Sequence, residues 1–200
     1  MSIAIIISAA VLVIDSRLRT ALLAYVVFTI GVLWISFPHD ATPIGIVIFA
    51  LLAFVKVVAG PAAIVWLRFK YRVPDDLGAS SVLGIRVAVV AGALFLAHEF
   101  SQTRAFADVH DATIVFYALF ASICIVLLHR NLLAHVIGLL TLGSAVSLAA
   151  AIFAPELPGA IELADTFDAV FATLIGIGVA RAVIRHDPQL DIRSLRLLRG

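Results

Sequence analysis

In the stretch FALLAFVKVVAGPAAIVW, residues 49–66, a single ammonium group, Lys56, stands in the middle of an apolar run, with Gly60 and Pro61 one turn later. A charged side chain at the centre of a bilayer costs about 2.5–3.5 kcal/mol on insertion scales. What that cost can supply is a proton that is given up and regained, or a fixed positive charge beside an ion path. Pro61 sharpens the point. It has no N–H to give and clashes with the carbonyl four residues back, that of Val57, so a backbone acceptor is freed within a turn of the amine. Irregular backbone at membrane depth is tolerated only where protein or water covers it. Ala53, Gly60 and Ala63 lie at i−3, i+4 and i+7 from Lys56 and surround it with small residues, the signature of close helix packing. Lys56 is therefore expected to face protein or a wet cavity. Two roles fit it: an ion-path group, or a lysine that only locks helix packing.

Asp168 is the second candidate. It begins a ladder at steps of four, Asp168, Ala172, Gly176 and Ala180, which predicts that it is buried against another helix. Asp165 lies one turn away, and two carboxylates at close range can share a proton and pass an ion inward. The alternative is that the helix starts later, with Asp165 as its cap and Asp168 favouring its N-terminal dipole. Arg86 sits about 200° round from Gly84 in a segment whose tight face is expected at Ser80, Gly84, Ala88 and Gly92, so it is expected to snorkel to the nearby membrane surface. His135 enters an apolar segment within about two turns of His129 and is a candidate proton relay. His98-Glu99 and His110-Asp111 bracket a polar connection without metal-ligand spacing, and a solvated loop explains them. Cys124, the only cysteine, lies in an apolar run and is expected to pack as a small apolar residue. No metal site or cofactor is expected, because no CxxC, HExxH or phosphate-cradling glycine loop occurs. The candidate acid–base groups share no spacing that would make an enzyme.

The elements that must position these groups are apolar helices. Of 200 residues, 63% are hydrophobic and 14% charged, against about 25% charged in soluble domains. Too few charges remain to coat a water-facing surface. Runs such as AVVAGALFLA, residues 88–97, lack the alternation of a barrel strand. The fold expected is an all-α integral membrane protein, a bundle of about seven transmembrane helices over 2–14, 20–37, 43–67, 80–98, 112–128, 133–153 and 161–181. The first is read as a retained helix, since MSIAIIISAAVLVID has no basic n-region.

The charges are sorted along the chain. Alternate connections and the tail carry Arg17 and Arg19; Arg68, Lys70 and Arg72; Arg130; and Arg181, Arg185, Arg193, Arg196 and Arg199, eleven of the fourteen basic residues. The other connections carry Arg104 with Asp40, Glu99, Asp108, Asp111, Glu156 and Glu162. Cytoplasmic loops are rich in Lys and Arg, which predicts an N-terminus outside and a C-terminus in the cytoplasm. No linker divides residues 1–184. Residues 185–200 place Arg193, Arg196 and Arg199 among Leu190, Ile192, Leu195, Leu197 and Leu198, a cytoplasmic amphipathic tail for anionic lipid or a docking strap for a partner.

From Arg130 onward the chain resembles a known family. RNLLAHVIGLLTLGSAVSL (130–148), ELADTFDAVFATLIGIGVARAVIR (162–185) and DIRSLRLLRG look like hydrogenase-4 component E, a membrane subunit of formate-hydrogenlyase-type complexes. The last three helices of that family are similar to the K-type subunit of complex I and the C-type subunit of multisubunit Na+/H+ antiporters. Lys56 before a proline in the third helix also looks like the family pattern. The resemblance implies a non-catalytic subunit, without a redox centre, beside antiporter-like subunits in the bacterial cytoplasmic membrane; its partners are other membrane subunits and lipids, not nucleic acid. In relatives an intramembrane glutamate lies on the helix corresponding to 133–153. Here its two possible registers hold Leu140 and Gly143-Ser144, so an ion-carrier role for that helix is in doubt. Three functions follow: a complex-bound subunit lining a proton or sodium path, a scaffold that has lost ion transfer, or a stand-alone small transporter.

Overall fold

The computed structural model describes residues 2–37, 43–73, 75–78, 81–109, 111–154 and 158–184, with 158–163, 165 and 184 described in backbone only. The tail with Arg193, Arg196 and Arg199, and His110, lie outside the described residues. The helices are α1 (Ser2–Ile14), α2 (Leu18–Ile35), α3 (Pro43–Phe54), α4 (Gly60–Tyr71), α5 (Leu83–Ser101), α6 (Ala112–Leu128), α7 (Leu132–Phe153) and α8 (Pro158–Ile184), with a π turn, Val55–Ala59, joining α3 to α4. Among the described residues there is no strand; Arg17 and Asp76 form an isolated bridge.

Five helical stretches are long and apolar enough to cross a membrane: Leu18–Ile35, Pro43–Tyr71, Leu83–Ser101, Leu132–Phe153 and Thr166–Val183. The protein is a helical, membrane-embedded chain. α1 and α6 are shorter apolar helices, yet they lie in the centre. α1 packs between α2 and α6, α6 also carries α5 and α7, and α2 meets α7. Ile5, Ala9 and Leu12 of α1 interlock with a core that includes Tyr25, Phe28, Tyr117, Ala118 and Ile125. The longer helices α3–α4, α5 and α8 form the flanks, and their outer faces present large apolar side chains such as Phe54, Phe95 and Phe171. Such faces are stable against lipid and not against water.

At one end three connections are knotted by backbone hydrogen bonds. Leu18 N–H donates to Asp75 O at 2.7 Å and Leu77 N–H to Ser16 O at 2.6 Å, tying the α1–α2 connection to the segment after α4. Arg130 N–H donates to Gly78 O at 3.0 Å and Asn131 N–H to Leu77 O at 3.2 Å, adding the α6–α7 connection. The Asn131 side chain caps α7 by accepting from Leu133 N–H at 2.9 Å. Arg68 pairs with Asp75 at 2.8 Å. We call this knot the clasp.

The clasp explains a correction. Arg86 does not snorkel. It is buried, and its guanidinium donates to the carbonyl of Ile14, the last residue of α1. Helix C-terminal carbonyls lack partners within the helix and carry negative partial charge, so a cation is at home there. The tight face of α5 is correspondingly the reverse of the expected one. Gly84 and Gly92 have nothing within 4 Å of where a Cβ would stand, and Ala88 is exposed. The buried stripe is Arg86, Ala93, Ala97 and Ser101. His129 completes the clasp: buried between α6 and the α1–α2 connection, its Nδ1 lies 3.1 Å from Ile125 O and its Nε2 3.1 Å from Asp15 O.

Candidate polar site at the π turn

The Gly60-Pro61 break does not end the third helix. Gly60 N–H donates to Val55 O, five residues back, and the chain continues helically as α4. A π turn widens the helix by one residue, which lets Pro61, lacking an N–H, follow without a full stop. Lys56 belongs to that widened turn and is buried, 2% exposed. Its helix packs here against α2 and α8.

Gly60 marks where the turn meets α7 and α8. A Cβ there would stand 3.4 Å from Val55 O, 3.6 Å from Thr173 Oγ1 of α8 and 3.8 Å from Leu140 Cδ1 of α7. Lys56 Nζ donates to Ser147 Oγ of α7 across a long 3.5 Å. Leu140 and Ser147 are seven residues apart, so Ser144 lies on the same α7 stripe between them. Ser144 Oγ donates to Leu140 O at 3.1 Å, Ser147 Oγ to Gly143 O at 3.1 Å and Thr173 Oγ1 to Ala169 O at 2.8 Å. Each hydroxyl thereby spends its proton on its own helix and keeps oxygen lone pairs for a cation. The amine thus meets a hydroxyl oxygen of a neighbouring helix, Ser147 Oγ.

Ser147 also lines a groove of about 760 Å³ between α7 and α8, whose wall includes His135, Gly143, Asp168 and Gly176. Gly176 brings the two helices together, since a Cβ there would fall 2.5 Å from a Val136 methyl. The small-residue ladder on α8 thus packs as its spacing requires, with Ala180 buried. Its first member does not. Asp168 is exposed on the isolated chain and stands on the groove wall rather than against another helix. The helix-start alternative also fails, because α8 begins at Pro158, seven residues before Asp165 and ten before Asp168. Neither can be a cap, and a dipole effect is confined to the first turn. The side chain of Asp165 lies outside the described residues. His135 is half-buried at the clasp end of the groove, its Nδ1 3.0 Å from Asn131 O.

The structure sets Lys56 of the π turn against Ser147 of α7, and places Ser147, Asp168 and His135 along the α7–α8 groove, with His135 about 18 Å along α7 from Ser147; Ser147 is shared by the buried amine and the open groove. Ser147 and Thr173 were missed in the sequence, where hydroxyl residues in apolar helices carry no signal; only the seven-residue step from Leu140 to Ser147 hints at a shared face. His98 and Glu99 are exposed, and among the described residues no group of three His, Cys, Asp or Glu is placed to hold a metal. Comparison with protein-family models, with curated proteins and with solved structures returns no match to this chain.

Proposed function

We propose that the chain is a membrane-arm subunit of a hydrogenase- or complex I-like, ion-translocating complex in the bacterial cytoplasmic membrane. In this reading it crosses the bilayer seven times, N-terminus outside and C-terminus cytoplasmic, and packs beside antiporter-like subunits while contributing to a proton or sodium path. One observation carries the reading: a lysine ammonium buried in a π turn touches a serine that lines an open groove with a carboxylate and an imidazole. Buried ionisable groups inside membrane helices are expensive and mark ion pathways by default, and π turns occur disproportionately at functional sites.

Two further observations support it. The α1–α2, α4–α5 and α6–α7 connections, which hold many of the basic residues, meet at one end in the clasp, as an up-and-down bundle with a basic cytoplasmic face requires. The α7–α8 groove is apolar apart from its few polar members, so a neighbouring subunit's helix fits it better than lipid, which would leave Asp168 without a polar partner. A scaffold without ion transfer is the second reading. It is favoured by α7, which carries no carboxylate and sets Leu140 against Gly60 of the helix break.

Affinity purification from native membranes, with identification of the co-purifying subunits, tests the assembly. Lys56→Met then separates the two readings. The ion path requires an assembled complex that has lost ion-driven activity. If assembly and activity both survive, the scaffold stands.

A further inference from the structure

Two cations at the α4–α8 seam have no part in the polar site. Lys70 follows Trp66 by one turn of α4, and its Nζ lies 4.6 Å from the centre of the Trp66 ring. Arg181, in the last turn of α8, brings its Cζ to 4.8 Å from the same ring. The negative face of an indole attracts each of them. It does not remove their mutual repulsion. Among the described residues neither is paired with a carboxylate, and the nearby Asp75 is engaged by Arg68 at 2.8 Å and Arg19 at 3.8 Å. All three side chains of the cluster are exposed.

The depth of the cluster points to what lies between them. The apolar stretches end here: Tyr71 closes one and Val183 the other. Trp66 thus sits where amphipathic rings concentrate, at the level of lipid headgroups. Toward the bilayer centre α4 exposes Ala62 and the π turn before it exposes Val58, and the α8 stripe exposes Leu174, two turns before Arg181. A paired cationic site above an apolar seam has the two-part chemistry of a phospholipid. We propose that Trp66, Lys70 and Arg181 bind the phosphate of an anionic phospholipid, whose acyl chains lie along Val58, Ala62 and Leu174.

The chain has two tryptophans, so Trp34→Phe leaves Trp66 as the sole tryptophan, whose emission is excited selectively over that of the tyrosines. The purified full-length protein is reconstituted into phosphatidylcholine vesicles containing a small fraction of brominated phosphatidylglycerol or of brominated phosphatidylcholine. A cation near the surface contributes about fivefold in affinity for anionic lipid, so Trp66 is expected to be quenched at roughly twentyfold less brominated phosphatidylglycerol than phosphatidylcholine. Lys70→Gln or Arg181→Gln should each cut that preference about fivefold, and the double variant should abolish it. The charge-preserving pair Lys70→Arg with Arg181→Lys should retain it and controls for folding. Equal quenching by the two lipids, or an undiminished preference in the double Gln variant, overturns the proposal. Loss of the preference on adding inorganic phosphate at constant ionic strength overturns the lipid as the source of the anion.

Discussion

Lys56 and Arg86 are both cations inside apolar helices and both are buried, although the sequence pointed to burial for Lys56 and to snorkelling for Arg86. Their surroundings differ. The Arg86 guanidinium closes the last carbonyl of α1, its Nε remaining buried without a partner, at a clasp where Asp15, Ser16, Asp75, Leu77, Gly78, Ile125 and Asn131 supply or receive further bonds. The clasp is a dense polar network in which backbone meets backbone, and its purpose is to hold three helix connections. Lys56 stands instead in a locally widened helix, across a long contact from a hydroxyl that borders an open groove. A dense network resists change because each lost partner leaves a desolvated group behind. An open one tolerates substitution and can exchange ions. A buried cation is therefore structural or functional according to what faces it, not according to how deeply it is buried.

Substitution should widen this contrast. Lys56→Met replaces the buried amine by an apolar side chain of similar shape, a change that is often neutral or stabilising. The thermal midpoint in detergent should stay level or rise, while the ion-path reading proposed above expects ion-driven activity of a co-purified complex to fall about tenfold or more. A midpoint that drops sharply would make Lys56 a second Arg86. Arg86→Leu should do the opposite: it strands the Ile14 carbonyl and costs about 2 kcal/mol, read as a lower midpoint, with any activity of the correctly folded fraction preserved.

His129 sharpens the comparison by pH. Burial, above all, holds its imidazole below the ordinary value of 6.5; the carbonyls of Ile125 and Asp15 work against this, and the Arg86 charge and the neighbouring His135 reinforce it. A ring with a lowered folded value is neutral in the clasp while the unfolded chain takes up the proton. Stability should therefore be intact above pH 6.5 and decline as the pH falls below it. Thermal midpoints between pH 8 and 5 should show that decline, and His129→Gln should flatten it; an unchanged slope would remove His129 from the clasp's energetics. The smallest effect is expected at Gly84→Ala. With open space at its Cβ, the substitution should be neutral or stabilise by up to about 1 kcal/mol through helix propensity. A loss of stability would put the glycine stripe of α5 back at a packing face.

Much of the bundle was legible because water and lipid sort side chains by class. Apolar runs mark the membrane-embedded helices, and their boundaries moved by only a few residues: 20–37 became Leu18–Ile35 and 80–98 became Leu83–Ser101. The burial of Lys56 was legible from the small residues at i−3, i+4 and i+7 around it. The inward face of α5 was not. Helical periodicity places Gly84 and Arg86 on opposite faces, but small residues suit a packed face and a lipid face alike, and only the α1 carbonyl waiting at Ile14 settles the matter. Asp168 was misjudged for a related reason: a ladder of small residues specifies contact where Gly176 meets Val136, and says nothing of its first rung.

The amino-acid sequence by itself determined the class of this protein, its apolar spans, the sorting of its charges and the depth of its lone intramembrane lysine, because these depend on local composition and helical period. The tertiary structure alone decided that Pro61 yields a π turn instead of a stop, that Arg86 closes α1, and that Ser147 joins the amine to the α7–α8 groove. Those outcomes depend on which carbonyls and hydroxyls other helices bring within hydrogen-bonding reach, and residues as far apart in the chain as Ile14 and Arg86, or Lys56 and Ser147, carry no local mark of their meeting.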